Sequence, residues 1–510
     1  MSKQGVLSYR IEAEHSSSNL TGLVGLAPFL DLAVASGLLD SMQRNLNVCG
    51  KQGWSDHQIV MALVLLNVVG GDCVEDLDRL NADEGFGKLL SQCENRSLPR
   101  RLRRELKKRW RKSQTRNVAS TNVARRYLSA FHDESQEDLR VTGKAFVPKA
   151  SEHLLGLRKV NADFVEWAQQ SSPSMIATLD IDATLIETMK SNALYCYKGF
   201  RAYQPFNVWW AEQVLMLHSE FRDGNVPAGY EQTRVVQEAL LHLPKSVRVV
   251  RLRSDTAGYE HKLLQWLDNA NNKRVGRIEF AVSCDVSREF RRAVEDVDKD
   301  DWHSLYKEVD GKQVKTRREW AEVCFVPDAI APGKNGRVYR YLATREALAN
   351  QPLPEMDASQ LDLPFQTMKQ SGIIYKIFGL ATNMDWSGND IIRFHDARSG
   401  KAEEAHKILK DDFAGGKMPS DDFGANAAWW AIAILAMNLV SAMKRVVLGG
   451  DWAGRRMKAI RFLIICVPGR VAQKARQLYL RLGRDHPALE MLIEMRRRIC
   501  GMIHDPPVPA

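Results

Sequence analysis

The run SMIATLDIDATL, residues 174–185, is apolar and β-favouring, and two acids interrupt it. Side chains alternate across a strand, so Asp180 and Asp182 share one face and Ile181 points the other way, into a core. An acid in such a place is often only a turn-former or a cap, and neither aspartate carries a function by itself. What decides the fold is the sequence that follows. FNVWWAEQVLMLHSEF (206–221) supplies two further strands, and DGN (223–225) marks a turn. EQTRVVQEALLHL is helical, and SVRVVRLRSD is a strand ending on Asp255. AGYEHKLLQWLDNA is a helix and RIEFAVSC another strand. Three strands in succession, then strand–helix alternation, imply a mixed sheet with helices on it, an α/β fold.

From about 285 to 370 the pattern changes. LYKEVDGKQVKTRREWAEVCF and GRVYRYLATREAL read as a hairpin or more, and NQPLPEMDASQLDLP as a connector. This region is expected to be an inserted, β-containing subdomain. IIYKIFGLATNMD returns to a core strand, and the charged stretch RSGKAEEAHKILKDDF (398–413) reads as an amphipathic helix. ANAAWWAIAILAMNLVSAMKRVVL is long and apolar, but Asp421, Asp422 and Lys444 bound it and Asn426 and Asn438 break its apolar side. A buried core helix is the expectation rather than a membrane span.

On the N-terminal side, residues 20–95 have helical spacing; Ser55 is placed to cap one helix and Gly70-Gly71 to end it. SLPRRLRRELKKRWRKSQTR (97–116) holds Arg100, Arg101, Arg103, Arg104, Lys107 and Lys108 against a single acid, Glu105. Most charge runs are solvated faces, but this density of cations favours contact with phosphates. A second helix restarts at Ser120 with Val123, Tyr127, Leu128 and Phe131 on one side. Two short helices around a basic segment suit a helix-turn-helix-like module. The tail from 448 reads as basic and helical. The expected divisions are 1–160, helical, basic and DNA-binding; 161–284 and 373–447, the two parts of a catalytic α/β domain; 285–372, the insertion; and 448–510, the C-terminal region.

Composition sets looser bounds. The chain has 510 residues, 45% hydrophobic and 26% charged, an ordinary globular mix that suggests roughly three domains. Lys and Arg number 72 against 62 acids, a formal charge of +10, which favours an anionic partner. The start MSKQGVLSYRIEAEHSS has no apolar stretch after its basic residue, so no secretory signal is expected. The eight cysteines form no CxxC pair and are expected to be reduced thiols in a cytoplasm.

Three carboxylates stand out by position: Asp182, Asp255 at a strand end, and Glu403 or Glu404 on the helix after the last core strand. In-line cleavage of a phosphodiester must stabilise both the attacking and the leaving oxygen, which two divalent ions about 4 Å apart achieve when carboxylates bridge them. Mg²⁺ takes such hard oxygen ligands and keeps several waters, so no His/Cys cluster is needed. The sequence has no zinc spacing, no GxxxxGK[ST] loop and no GxSxG elbow.

TLDIDAT, RLRSDTAGY and RSGKAEEAHKILK together resemble the DDE transposases of bacterial insertion sequences, above all the insertion sequence 1380 group within the wider insertion sequence 4 type. GWSDHQIVMALVLLNVVGGDCVEDLDRL and FRDGNVPAG extend the resemblance over most of the chain. It implies an RNase H-like catalytic domain with a β-rich insertion between the second and third acids. Asp182 lies 73 residues before Asp255, and Asp255 lies 148 before Glu403, leaving room for the insertion in the longer gap. The first acid of the family precedes a small residue and a threonine, as Asp182 precedes Ala183-Thr184, which leaves Asp180 as a structural or supporting neighbour. The second matches Asp255. The third belongs to a tyrosine–arginine–glutamate–lysine signature in which the lysine follows the glutamate by seven residues, and this selects Glu403 with Lys410. Arg398 stands five residues before Glu403 rather than four, and His395 takes the tyrosine's place if one residue is inserted. The resemblance further implies two Mg²⁺ ions held by Asp182, Asp255 and Glu403, with Mn²⁺ as a substitute. It also implies a homodimer acting on transposon ends and target DNA, with no membrane role, in a bacterial cytoplasm at the nucleoid.

On a 3.6-residue helix Glu403, His406, Lys407 and Lys410 fall on one face, and Ala405, Ile408 and Leu409 on the other, with Glu404 at the border. Glu403–Lys407 pairing on a solvated face would account for the charges alone. The functional expectation is that Glu403 completes the metal site and that Arg398, His406, Lys407 and Lys410 grip DNA phosphates. The competing functions are an RNase H-like nuclease that cuts without joining, and a DNA-binding protein without catalysis.

Overall fold

The structure is a computed structural model that describes residues 19–96, 100–110, 116–327, 339–349, 365–474 and 477–504. The 350–364 connector and the N-terminal MSKQGVLSYRIEAEHSS stretch lie outside these residues, as do 97–99 and 111–115 of the basic segment. The chain divides into two compact units, one from the residues before Leu128 together with Met443 onward, the other spanning Leu128–Ala442.

The second unit is built on one mixed ten-stranded sheet. Its strands are β1 (Ile176–Ala183), β2 (Phe206–Trp210), β3 (Leu215–Glu220), β4 (Val249–Ser254), β5 (Glu279–Cys284), β6 (His303–Val309), β7 (Lys312–Val323), β8 (Arg340–Ala347), β9 (Thr367–Gln370) and β10 (Ile373–Thr382). They lie in the order β3-β2-β1-β4-β5-β10-β8-β7-β6, with β9 paired to β10. β1, β2 and β3 form an antiparallel meander, while β4 runs parallel to β1 and β5 parallel to β4. β10 then joins β5 antiparallel.

Alternation explains the two faces. Ala177, Leu179 and Ile181 of β1 meet Val208, Trp210, Val250, Leu252, Phe280 and Val282 in the main core. The helices Gln232–His242 and His261–Asp268 cover them with Val235, Val236, Leu240, Leu263, Leu264 and Leu267. On the opposite face Ala281, Leu342 and Leu380 pack against Ile391 and Ile392 of the helix Gly388–Asp396. The helix Phe423–Ala442 is buried along nearly its whole length. Its asparagines are not breaks in an apolar face but partners for backbone. Asn438 accepts from Met216 N (2.9 Å) and donates to Met216 O (3.0 Å), and Asn161 donates to the oxygens of Met216 and Leu217. These bonds occupy backbone groups on the outer edge of β3.

The expected divisions differ from the structure in three places. The 160/161 boundary cuts the helix Glu152–Ser171. The insertion strands are not a separate body, because β10 bridges β5 and β8 in one sheet. The N- and C-terminal regions pack as a single unit: the helix Ala488–His504 lies against Leu26–Ala35, and Leu20–Thr21 pairs with Gly469–Lys474. The tail is also not wholly helical. Gly469–Lys474 and Gln477–Arg481 form a hairpin in which Val471, Leu478 and Leu480 take the more enclosed positions, a period of two within what reads as a helical segment. In the same unit Ser55 caps Asp56–Val69 in a capping box with Gln58, and Gly70 ends that helix at φ 96°.

Candidate active site

β1 and β4 are adjacent and parallel, so they deliver their C-terminal ends to the same edge. Asp182 is the penultimate residue of β1, and Asp255 follows the last residue of β4. Asp255 caps the short turn after its strand, with Oδ1 accepting from Ala257 N at 3.0 Å. Asp180 sits beside Arg253 in the β1–β4 register, and the two side chains meet in a buried bidentate pair of 2.6 and 2.8 Å. Arg253 also donates to Phe394 O (2.8 Å), tying β4 to the helix Gly388–Asp396. This makes Asp180 a structural brace.

The stretch 398–413 is not one helix. Gly400, at φ 80°, starts the helix Lys401–Lys407, and a wider π turn follows over Ile408–Asp412. Arg398 therefore precedes the helix, and its Nη2 lies 3.3 Å from Asp182 Oδ2. Glu403, Glu404 and Lys407 are exposed. The expected face does not hold for His406, which is buried with Ala405 and Leu409. Its Nδ1 lies 3.7 Å from Asp182 Oδ2, and its Nε2 is 3.1 Å from Asn207 Nδ2. Burial pushes the imidazole down to about 4, helped by Lys410 and Arg398, so it is neutral near pH 7 and not an outward cation. Packing, not spacing, sets the rotation of so short a helix. Lys410 is half-buried and donates to Leu185 O at 3.3 Å. His395 braces the second acid: its Nε2 lies 3.1 Å from Ser254 O, next to Asp255. The carbonyl can only accept, so Nε2 carries the proton.

Burial raises the Asp182 carboxyl to about 6. Arg398 opposes this rise, whereas the charges of Asp255 and Glu403 add to it. Acids widely separated in sequence thus act on one another at one end of the sheet. Among the described residues, no three His, Cys, Asp or Glu side chains are gathered closely enough to hold a metal ion. The donor chemistry nonetheless suits a hard divalent cation, since the acids are all carboxylates whose mutual repulsion a cation would relieve. Arg398 supplies part of that counter-charge here.

The sequence as a whole matches the family described as "Transposase DDE domain group 1" over residues 3–502. The chain belongs to this family. It is therefore a DDE transposase, an enzyme of transposition. Among solved structures, the chain resembles the piggyBac transposase in a cryo-EM synaptic complex with hairpin DNA. Identity is 11% over 85% of this chain and 78% of that one, with a TM-score of 0.42. No curated protein matches the sequence.

In this transposase Arg100, Arg101, Arg103, Arg104, Lys107 and Lys108 of the basic segment are exposed on a helix, Arg100–Lys108. Arg101 pairs with Glu105 at 3.1 Å, while Arg100, Arg103, Arg104, Lys107 and Lys108 face solvent. Sequence reasoning missed two residues, Arg253, which pairs with Asp180, and Asn207, which meets His406. Asn207 had a signal: it is the lone polar side chain in FNVWW, and in the strand register it stands opposite Asp182.

Proposed function

We propose that the transposase cleaves the ends of an insertion sequence and joins them to target DNA through Asp182, Asp255 and Glu403. The observation that carries this is the delivery of Asp182 and Asp255 to one edge of the sheet by adjacent parallel strands, with Arg398 3.3 Å from Asp182 just ahead of the helix that carries Glu403. The strand order β3-β2-β1-β4-β5, with its meander and two parallel strands, supports an RNase H-like reading of the catalytic sheet. Asp182, Asp255 and Glu403 would hold two divalent ions, with Mg²⁺ as the natural choice and Mn²⁺ as a substitute. Bound there, the ions would stabilise the attacking and leaving oxygens of an in-line displacement at phosphorus. The chain's own residues do the rest. β1 and β4 fix the aspartates, His395 steadies the backbone at Asp255, and Lys407, Lys410 and Arg398 would contact backbone phosphates of a bound end. The same site serves two reactions in turn, water attacking to free a 3′-hydroxyl and that hydroxyl attacking the target strand. Terminal inverted repeats and target DNA are the partners, and a homodimer would hold the two ends.

A strand-transfer assay with labelled ends and Mg²⁺ tests this reading. Joined products support it, cutting without joining reduces it to a nuclease, and binding without cutting leaves a DNA-binding protein. Neutralising Arg100, Arg101, Arg103 and Arg104 together should reduce the salt slope of DNA binding by up to about 3–4, since each phosphate contact contributes about 0.9. An unchanged slope returns this helix to an ordinary solvated face.

The raised Asp182 carboxyl also predicts a pH dependence. Its folded value, about 6, lies above the ordinary carboxylate value of 3.8, so its ionisation opposes folding as pH rises between those values. In metal-free protein the penalty is absent below pH 3.8 and complete above about 6. Asp182→Asn removes it, so the melting temperature of the variant relative to wild type should rise from pH 4 to pH 7. A flat difference across that window would show that Asp182 is not under this strain.

A further inference from the structure

His406 meets Asp182 as the end of a hydrogen-bonded chain whose direction is fixed at the other end. The indole of Trp430 is a donor only, and its Nε1–H donates to Ser219 Oγ at 2.8 Å. The single hydroxyl proton of Ser219 goes to Asn207 Oδ1, 2.6 Å away. With its oxygen facing Ser219, Asn207 turns its amide nitrogen to His406 Nε2 at 3.1 Å. Nε2 must then accept, and the one proton of the neutral ring sits on Nδ1, the nitrogen 3.7 Å from Asp182 Oδ2. Asp182, Asn207 and Ser219 are direct neighbours across β1, β2 and β3, so the chain runs along one row of the sheet. Trp430 is 1% exposed, Asn207 1% and His406 6%, so water does not compete for these bonds along most of the row.

We propose that His406 is a positioning residue for Asp182: the row from Trp430 holds its imidazole as the Nδ1–H tautomer and keeps an N–H directed to one carboxylate oxygen. At 3.7 Å this is an oriented dipole rather than a hydrogen bond. It biases which oxygen of Asp182 stays free to bind a cation, as hydrogen-bonding partners behind metal ligands commonly do. The inference rests on Asp182 being a catalytic ligand, and the test separates the two.

The tautomer is read without any reaction, by ¹⁵N NMR of the full-length, metal-free protein labelled at the histidine rings. The His406 signals are identified by their loss in His406→Asn. The expected result is a neutral ring with pyrrole-like Nδ1 and pyridine-like Nε2, and conversion to a mixture in Ser219→Ala. An Nε2–H ring in wild type overturns the proposal. The second arm compares two substitutions in Mg²⁺-dependent cleavage. Asn places an amide near the position of Nδ1, and Gln near that of Nε2. His406→Asn should lose no more than a few-fold, and His406→Gln about 10- to 100-fold, with a raised Mg²⁺ requirement, the scale for a partner behind a metal ligand. Rescue by Gln but not Asn would show that His406 only satisfies Asn207, and equal loss in both would also overturn the role. If Asp182→Asn cleaves normally while the tautomer is as expected, the catalytic reading of Asp182 fails and the hydrogen-bonded row stands.

Discussion

Asp182→Asn, Asp255→Asn and Glu403→Gln should each lower DNA cleavage in Mg²⁺ on the order of 10³-fold or more, the scale of losing one member of a group that acts as a unit. Each change keeps the side-chain shape and removes one negative charge from a shared field. DNA binding should stay within a few-fold of wild type, because each change leaves the phosphate-contacting cations in place. Folding should not suffer, since Glu403 is exposed and ionised Asp182 is itself under strain. The sharper comparison is between adjacent glutamates. Glu403 and Glu404 are both exposed on Lys401–Lys407, and Glu403 acts on the Asp182 carboxyl. Glu404→Gln should cost less than about 10-fold, as expected for a surface carboxylate outside the reacting group. Cleavage lost in Glu404→Gln and kept in Glu403→Gln would move the third acid by one residue. Near-normal cleavage in any of the first three variants would remove that residue from the site.

The other large effect lies two residues earlier and is of a different kind. Asp180→Ala should destabilise the unit by about 3–5 kcal/mol, because it strands a buried guanidinium. Arg253 would keep only the carbonyl of Phe394 and the face of its ring, 5.0 Å from the guanidinium carbon. Replacing both partners with apolar residues, Asp180→Leu with Arg253→Met, should recover most of that loss, since the buried charges then vanish together. Equilibrium denaturation of the three proteins measures this. A single variant as stable as wild type would mean that the pair braces nothing. The two aspartates of TLDIDAT would thus separate experimentally, one failing in stability and the other in chemistry.

The same stretch shows what a sequence can and cannot convey. Strands β1 to β5 were legible because apolar alternation records which face is buried, and the order of strands and helices then limits the sheet. Asp182 and Asp255 were legible because acids at strand ends are placed by the strands. The Asp180–Arg253 pair was not, since it depends on which residue of β4 lies beside which residue of β1. His406 was misplaced because charge and spacing suggested an outward face, whereas the packing of a seven-residue helix turned it inward against Asn207. The π turn after Lys407 and the C-terminal hairpin also escaped, both being fixed by long-range contacts.

The asparagine caps at β3 have a counterpart at the far margin of the sheet. There β6 is the outermost strand, and Asn389 Oδ1 accepts from Tyr306 N at 2.9 Å, with Arg393 gripping Glu308 at 3.0 Å beside it. An unpaired strand margin is a template for cross-β growth and aggregation. Here the N–H and C=O of Met216 at one margin and the N–H of Tyr306 at the other are already bonded to amide side chains from neighbouring helices. A second copy arriving edge-on finds those positions occupied, so amyloid-like stacking has no foothold at them.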